Sequence, residues 1–189
     1  HALDAAPSDS VLRWAVLFHD MGKPECFALD TQGVGHFMGH GVVSRRIADG
    51  VMDRLRFDNE TKERIGELVE WHDHRVETEK GVRRMLNRFG ERNFRYLLAI
   101  QRADNMGQAE KFRGRQKEID RVEAMLDREL EKGSCFSLKQ LAVNGNDLLG
   151  LGLSGPAVGR TLQGLLDRVM DGTLPNDRDA LLTAAGKIR

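Results

Sequence analysis

Three apolar stripes with helical spacing each end in a side chain that can carry charge, and a chain built this way has to bring those ends to partners. Leu12, Ala15, Val16 and His19 recur at i, i+3, i+4 and i+7, and Ile65, Leu68, Val69 and His72 repeat the spacing. Phe94, Leu97 and Leu98 lead in the same way to Asp104. The stripes predict helices with these faces turned inward, so imidazole and carboxylate groups point toward a core. An ionised carboxylate without a partner there is costly or changes its protonation, which calls for a cation or a donor network beside it. Imidazole and carboxylate converging from separate helices supply the nitrogen and oxygen ligands of a divalent metal ion.

Periodicity reads helical along nearly the whole chain. Asp9 or Ser10 is the expected N-cap of the first helix, which ends near Asp20 and Gly22, with Pro24 blocking its continuation. Phe27 to Phe37 has strand-type ends around a glycine-containing turn and reads as a small hairpin or an irregular loop. Val43, Ile47, Val51 and Leu55 mark a helix from about residue 41 to 56, and Asp58 or Asn59 caps the one that carries the stripe to His72. Val82, Met85, Leu86 and Phe89 give another helix that stops at Gly90, followed by the one through Asp104. Ile119, Val122 and Leu126 form the narrow apolar edge of a strongly charged helix ending at Gly133. From Ser134 the composition shifts toward Gly, Leu and Asn. Pro156 opens a helix with the stripe Val158, Leu162, Leu165, Leu166 and Val169, and a short last helix begins after Asn176. The expected fold is all-α, a helical metal-binding domain over 1–133 and a small helical tail over 134–189.

Lysine plus arginine equals aspartate plus glutamate at 29 each, so a polyanion has to be met by a local patch rather than by global charge. Cys26 and Cys135 are far apart and form no CxxC pair, which argues against a disulfide framework or a thiolate zinc site and fits a reducing cytoplasm. No apolar run is long enough to span a membrane, and no basic-then-apolar leader is present. The chain opens at His1 rather than methionine, which points to a piece of a longer protein.

The densest chemical signal is His19-Asp20-Met21-Gly22-Lys23-Pro24 at the end of the first helix, with all six histidines in the first 74 residues. Neighbouring helical residues diverge by about 100°, yet a cation at a helix end can be reached by both, and Gly22 lets the backbone turn there. Lys23 adds a point charge suited to a phosphate oxygen. Each residue alone has a plainer reading. The His-Asp pair can be a helix-terminal hydrogen bond, His72 a satisfied core histidine, His36 a loop residue, and Asp104 a salt-bridge partner of Arg102.

The order His-Asp, His, His, Asp at 19, 20, 40, 72 and 104 resembles the HD superfamily of metal-dependent phosphohydrolases. Leu12 to Asp104 is similar to the HD region of bacterial tRNA nucleotidyltransferases through LRWAVLFHDMGKP, HFMGHGVVSRRIA, RLRF and FRYLLAIQRADNMGQ. VNGNDLLGLG and GPAVGRTLQGLLDRVMDGTLPN resemble the C-terminal part of the same enzymes. The glycine-rich loop and paired aspartates of their nucleotidyltransferase domain are not among these residues, so nucleotide addition is not expected of this stretch by itself. The resemblance implies that His19, Asp20 and Asp104 hold a first divalent metal (Mg, Mn, Ni or Co), and that His40 and His72 hold a second one or meet phosphate. It also places an earlier histidine ligand near His1, which is out of register.

On that resemblance the expected activity is hydrolysis of phosphomonoesters or cyclic phosphodiesters on nucleotides or RNA ends, with Asp20, Lys23 and His40 catalytic and metal-bound hydroxide as nucleophile. The alternatives are a tRNA-binding module with an incomplete metal site and a purely structural ion. Nucleic acid is the second theme. Lys111, Arg113, Arg115 and Lys117 form a run without an acidic residue, and Arg83, Arg84, Arg88, Arg92 and Arg95 precede it. The helix start at Ser154 to Gly159, with Arg160 just beyond, is a further candidate phosphate contact. A solvated face and ordinary helix capping are the plainer readings of these two features.

Overall fold

Carboxylate caps start three of the helices in the computed structural model, which describes residues 1–187 without the side chains of 111–113. A short helix α1 (Ala2–Ala5), not foreseen from the sequence, precedes α2 (Ser10–Phe18), whose cap Asp9 accepts the Leu12 amide. A 3-10 turn over Lys23–Cys26 leads into a hairpin of β1 (Ala28–Leu29) and β2 (Gly35–His36), paired antiparallel with Ala28 opposite His36. Helix α3 (His40–Arg54) follows, then α4 (Asn59–Trp71), capped by Asp58 through the Thr61 amide. Helix α5 (Glu79–Gly107) is two helices in one: Gly90, at φ 69° and ψ 171°, breaks the helical conformation where the sequence predicts a stop.

The 3-10 segment Glu110–Arg115 joins α5 to α6 (Gln116–Glu131). Helix α7 (Gly145–Gly150) opens with a capping box of Asn144 and Asp147 that the sequence reading missed. Helix α8 (Pro156–Met170) starts at the expected proline, and α9 (Arg178–Gly186) is capped by Asp177. The all-α expectation holds, with nine helices among the described residues and strand confined to the two-residue arms of the hairpin.

Contacts divide the chain into two compact units, His1–Arg75 with Glu91–Glu123, and Val76–Gly90 with Ala124–Arg189. This line differs from the expected division at residue 133, because 76–90 and 124–133 pack with the tail. Arg83 pairs with the buried Glu129 at 2.9 Å and donates from Nε to the Met170 carbonyl at 2.7 Å. Burial raises the Glu129 pKa, but Arg83 and Lys132 outweigh it and hold the carboxyl below its usual range. Around that pair the second unit buries Leu148, Leu165, Leu166 and Leu181. Composition marks where the tail begins in sequence; the Arg83–Glu129 pair joins two of the segments that pack with it.

In the first unit, α2, α3, α4 and the second half of α5 bury Phe18, Met52, Leu68 and Phe94 against one another. Two glycines make the site-forming contacts close enough. A Cβ on Gly41 would stand 2.5 Å from the Glu70 carbonyl oxygen, so α3 touches α4 backbone to backbone. A Cβ on Gly22 would stand 2.6 Å from both the His40 oxygen and the Ser44 nitrogen, and the Gly22 amide donates to buried Ser44 Oγ at 2.9 Å. Arg45 then joins α3 to α4 through Glu63 and Glu70, both at 2.8 Å. Tyr96 Oη donates to Asp9 at 2.6 Å, fixing α5 to the start of α2.

Gly41→Ala should destabilise the protein by about 1–3 kcal/mol in urea denaturation, because rigid backbone has to give way. Gly50→Ala on the open face of the same helix, with nothing within 4 Å of its added Cβ, should instead stabilise by up to about 1 kcal/mol. Equal effects of the two substitutions would refute close packing as the reason for Gly41.

Candidate metal centre

Each of three histidines sits at a helix end and spends Nδ1 on the backbone. His19, the C-cap of α2, donates from Nδ1 to the Val16 carbonyl at 2.7 Å, and His72, the C-cap of α4, does the same to Val69 at 2.7 Å. His40, first residue of α3, donates to the Phe37 carbonyl at 2.9 Å. Fixing the proton on Nδ1 turns each Nε2 into a lone pair, and all three point into the same space. His40 Nε2 lies 3.1 Å from His72 Nε2, a contact that two Nδ1-protonated rings cannot make as a hydrogen bond.

The carboxylates sharpen the need for a cation. Asp20 Oδ2 lies 3.2 Å from His19 Nε2 and accepts from Lys23 Nζ at 2.6 Å. Its other oxygen, Oδ1, is buried and accepts no hydrogen bond among the described residues, although His40 Nε2 is 3.4 Å and His72 Nε2 3.7 Å away. Asp104 Oδ1 stands 3.4 Å from His19 Nε2, and Gln108, one turn on, donates to Asp104 Oδ2 at 3.1 Å. Ligand atoms of His19, Asp20 and His72 all lie within 4.8 Å of one another, and His40 and Asp104 flank them. A buried oxygen without a donor, facing lone pairs, is the arrangement a nitrogen- and oxygen-ligated divalent ion completes.

Without the ion, a proton takes part of its place. Burial disfavours charge on His19, but hydrogen bonds to Asp104 and Asp20 outweigh it and raise the pKa to about 9. Burial pushes Asp20 up, and His19 and Lys23 overcome that to hold it far below the usual carboxylate range. Asp104 is lowered first by its bond to His19, against burial. His72 is driven down to about 4, mainly by burial, with the charges of His19 and His40 adding to the effect.

The structure thus brings together Asp20, Lys23, His40, His72 and Asp104 around one cavity of about 580 Å³, with His19 in reach of both carboxylates. Asp104 is not the partner of Arg102, whose guanidinium binds Asp120 and Glu123. His36 lies on the hairpin, bonded to Asp30 at 2.8 Å, and also lines the cavity. His1 is an exposed N-terminal residue beside Asp4 and is not in the cluster. Among the expected nucleic-acid contacts, Arg115 lines the cavity, Lys117 is exposed on the first turn of α6, and Arg160 is exposed on α8 in the second unit. The side chains of Lys111 and Arg113 fall outside the described residues. Sequence reading missed Gln108, although its i+4 spacing from Asp104 puts both on one helix face, and it missed Arg75 and Phe37 on the cavity wall.

The family model for tRNA nucleotidyltransferase domain 2 matches residues 42–185. The chain is 33% identical over 172 residues to the CC-adding tRNA nucleotidyltransferase of Thermus thermophilus, covering 89% of this chain and 38% of that protein. It is 38% identical over 66 residues to the A-adding tRNA nucleotidyltransferase of Deinococcus radiodurans, 34% of this chain and 15% of that one. With the CCA-adding enzyme of Limosilactobacillus fermentum it shares 46% identity over 50 residues, 26% of this chain and 12% of the relative. The chain therefore spans well under half the length of these relatives. No solved structure gave a significant match.

These relatives overturn the expected phosphohydrolase. They are enzymes named for adding nucleotides to tRNA, so the likeness carries no phosphate-ester hydrolysis, and the catalytic assignment of Asp20, Lys23 and His40 to that reaction falls with it. The physical reason is that inward imidazoles and carboxylates dictate that a cation is held, while the bond that reacts is chosen by groups beyond the ligands.

Histidine titration in chelator-treated protein tests this electrostatic account. His19 should titrate near 9, so its contribution to stability is full below its ordinary 6.5 and lost as pH rises through 9. His72 should titrate near 4, so its contribution is present above 6.5 and lost as pH falls through 4. Imidazole NMR resonances that both titrate near 6.5 would sink the account, and Asp20→Asn should move the His19 value down.

Proposed function

Because this chain belongs to the tRNA nucleotidyltransferase domain 2 family, we propose that it serves as the helical, tRNA-engaging part of a tRNA nucleotidyltransferase and carries a divalent-cation centre. The observation that supports this most is similarity along 89% of the chain to an enzyme named for adding nucleotides to tRNA. His19, Asp20 and His72 are the proposed ligands, with His40 and Asp104 completing the shell, and the ion is Mg, Mn, Ni or Co. Mixed imidazole and carboxylate ligation suits the transition metals of that set better than magnesium, which prefers oxygen. Its proposed role is to tie together the ends of α2 and α4, the start of α3 and the second half of α5.

Transfer RNA is the proposed partner, met by cations on both units: Arg115 and Lys117 with Lys111 and Arg113 in the loop before α6, and Arg160 on α8. With balanced total charge, such binding has to come from local phosphate contacts and depend on salt. As functional parts, the metal-binding body lies within 1–133 and a tRNA-facing tail within 134–189. Among the described residues no helix is long and apolar enough to cross a membrane. Cys26 and Cys135 are both unpaired, which supports a cytoplasmic site of action.

Two measurements test the reading. Divalent metal at a hundred times its dissociation constant should stabilise the chelator-treated protein by about 2.7 kcal/mol. That corresponds to a rise in Tm of roughly 5–10 °C for a chain of this size, and Asp20→Asn or His72→Ala should remove it. For tRNA, binding followed against salt should lose about one unit of log-log slope with each of Lys117→Ala and Arg160→Ala. A slope that neither substitution changes would rule out these contacts.

A further inference from the structure

The hairpin beside the metal centre displays its aromatic side chains outward. Among the described residues the exposed phenylalanines are Phe27, at 54% exposure, and Phe37, at 36%, ten residues apart in sequence and 5.6 Å apart between ring centroids. Neither is loosely held. A Cβ on Gly35 would stand 2.7 Å from the Phe27 ring, so the absence of a side chain there lets the ring lie across the opposite strand. Asp30 stiffens the turn by accepting from the Gln32 amide at 2.8 Å, the Val34 amide at 2.9 Å and His36 Nε2 at 2.8 Å. Lys23 Nζ sits 5.7 Å from the Phe37 centroid.

The wall that Phe37 shares with the cavity also carries Arg75 and Arg115. Arg75 is exposed, and Arg115 buries an Nε that finds no hydrogen-bond acceptor among the described residues. A buried guanidinium nitrogen without an acceptor is costly, and an anionic oxygen entering the cavity would satisfy it. Arg115 also faces Asp73 across 3.7 Å from Nη1, which leaves Nε as its unmet donor. Two adjacent rings next to exposed Arg75 and that buried donor match the chemistry of an unpaired nucleotide, which offers a flat base to stack and a phosphate to pair. An apolar protein segment would use the rings but leave the Arg115 donor unmet, so the observations favour nucleic acid.

We propose that the Phe27–Phe37 hairpin and the Arg75–Arg115 wall form a platform for unpaired nucleotides of an RNA strand, with bases on the rings and phosphates on the guanidinium groups. This rests on the tRNA reading and adds to it the part of the RNA that the first unit meets. It requires no chemical step.

The test measures binding of a short labelled oligouridylate and of intact tRNA to the full chain in parallel. Phe27→Ala and Phe37→Ala should each weaken oligouridylate binding about five- to a hundredfold, while Phe37→Tyr keeps it and Phe37→Leu does not. Arg115→Gln should reduce its salt dependence. Circular dichroism on each variant confirms that these exposed positions leave the fold intact. Wild-type affinity for the oligomer in Phe37→Leu would overturn the proposal, since stacking could not be the source, even if tRNA still bound. Loss of self-association in the phenylalanine variants with unchanged oligomer binding would also overturn it and assign the hairpin to protein contact. Oligomer binding that depends on the rings without any binding of tRNA would leave the platform standing and remove the tRNA reading instead.

Discussion

Three imidazoles that each give their Nδ1 proton to a backbone carbonyl one turn back are the constraint from which the first unit follows. The hydrogen bonds are local, made inside or at the end of a helix, and cost the fold little. Their consequence is long-range, because they leave three Nε2 lone pairs converging with a buried carboxylate oxygen that has no donor. Such a cluster is stable only with positive charge in it. His19 can supply part of that by holding a second proton against its own burial, as its raised pKa indicates. A divalent ion supplies more and satisfies the lone pairs directly, with release of that proton.

Bringing those groups within reach requires helices closer than side chains ordinarily permit. Gly22 and Gly41 provide the approach, each by having no Cβ where one would meet backbone atoms of another element. His40 is placed by both, since it stands between the turn that Gly22 opens and the helix that Gly41 touches. Asp104 arrives from the far part of α5, beyond the break at Gly90, and Gln108 on the same helix face orients it. Asn105, next to Asp104 and fully buried, is held by Gln116 of α6 at 3.1 Å. The centre is therefore supported from four helices, and weakness in any one of them reaches the others.

A cluster of this kind says little about which bond reacts. The same imidazoles and carboxylates would serve hydrolysis, a structural ion or a positioned RNA phosphate, and the hydrolytic expectation came from the resemblance of the ligand order to a phosphohydrolase superfamily. The similarity to tRNA-extending enzymes redirected it. Features outside the ligand shell carry more about partners. Phe27 and Phe37 read as the strand-like ends of a small hairpin or an irregular loop in the sequence, and only the hairpin's register shows them side by side and turned to solvent.

By itself the sequence determined the helices, because apolar spacing and capping residues act over a few positions: Asp9, Asp58, Gly90 and Pro156 mark element boundaries where they were expected. It also determined that His19, His72 and Asp104 face inward, since each ends an apolar stripe. It left unsettled which segments pack as one unit, because the Arg83–Glu129 pair joins positions 46 residues apart and leaves no local periodic trace. Nor did it show that Arg102 turns to Asp120 and Glu123 and away from Asp104, or that Arg115 faces the cavity. Directions of long side chains depend on what the neighbouring helix offers, and that is fixed only when the helices meet.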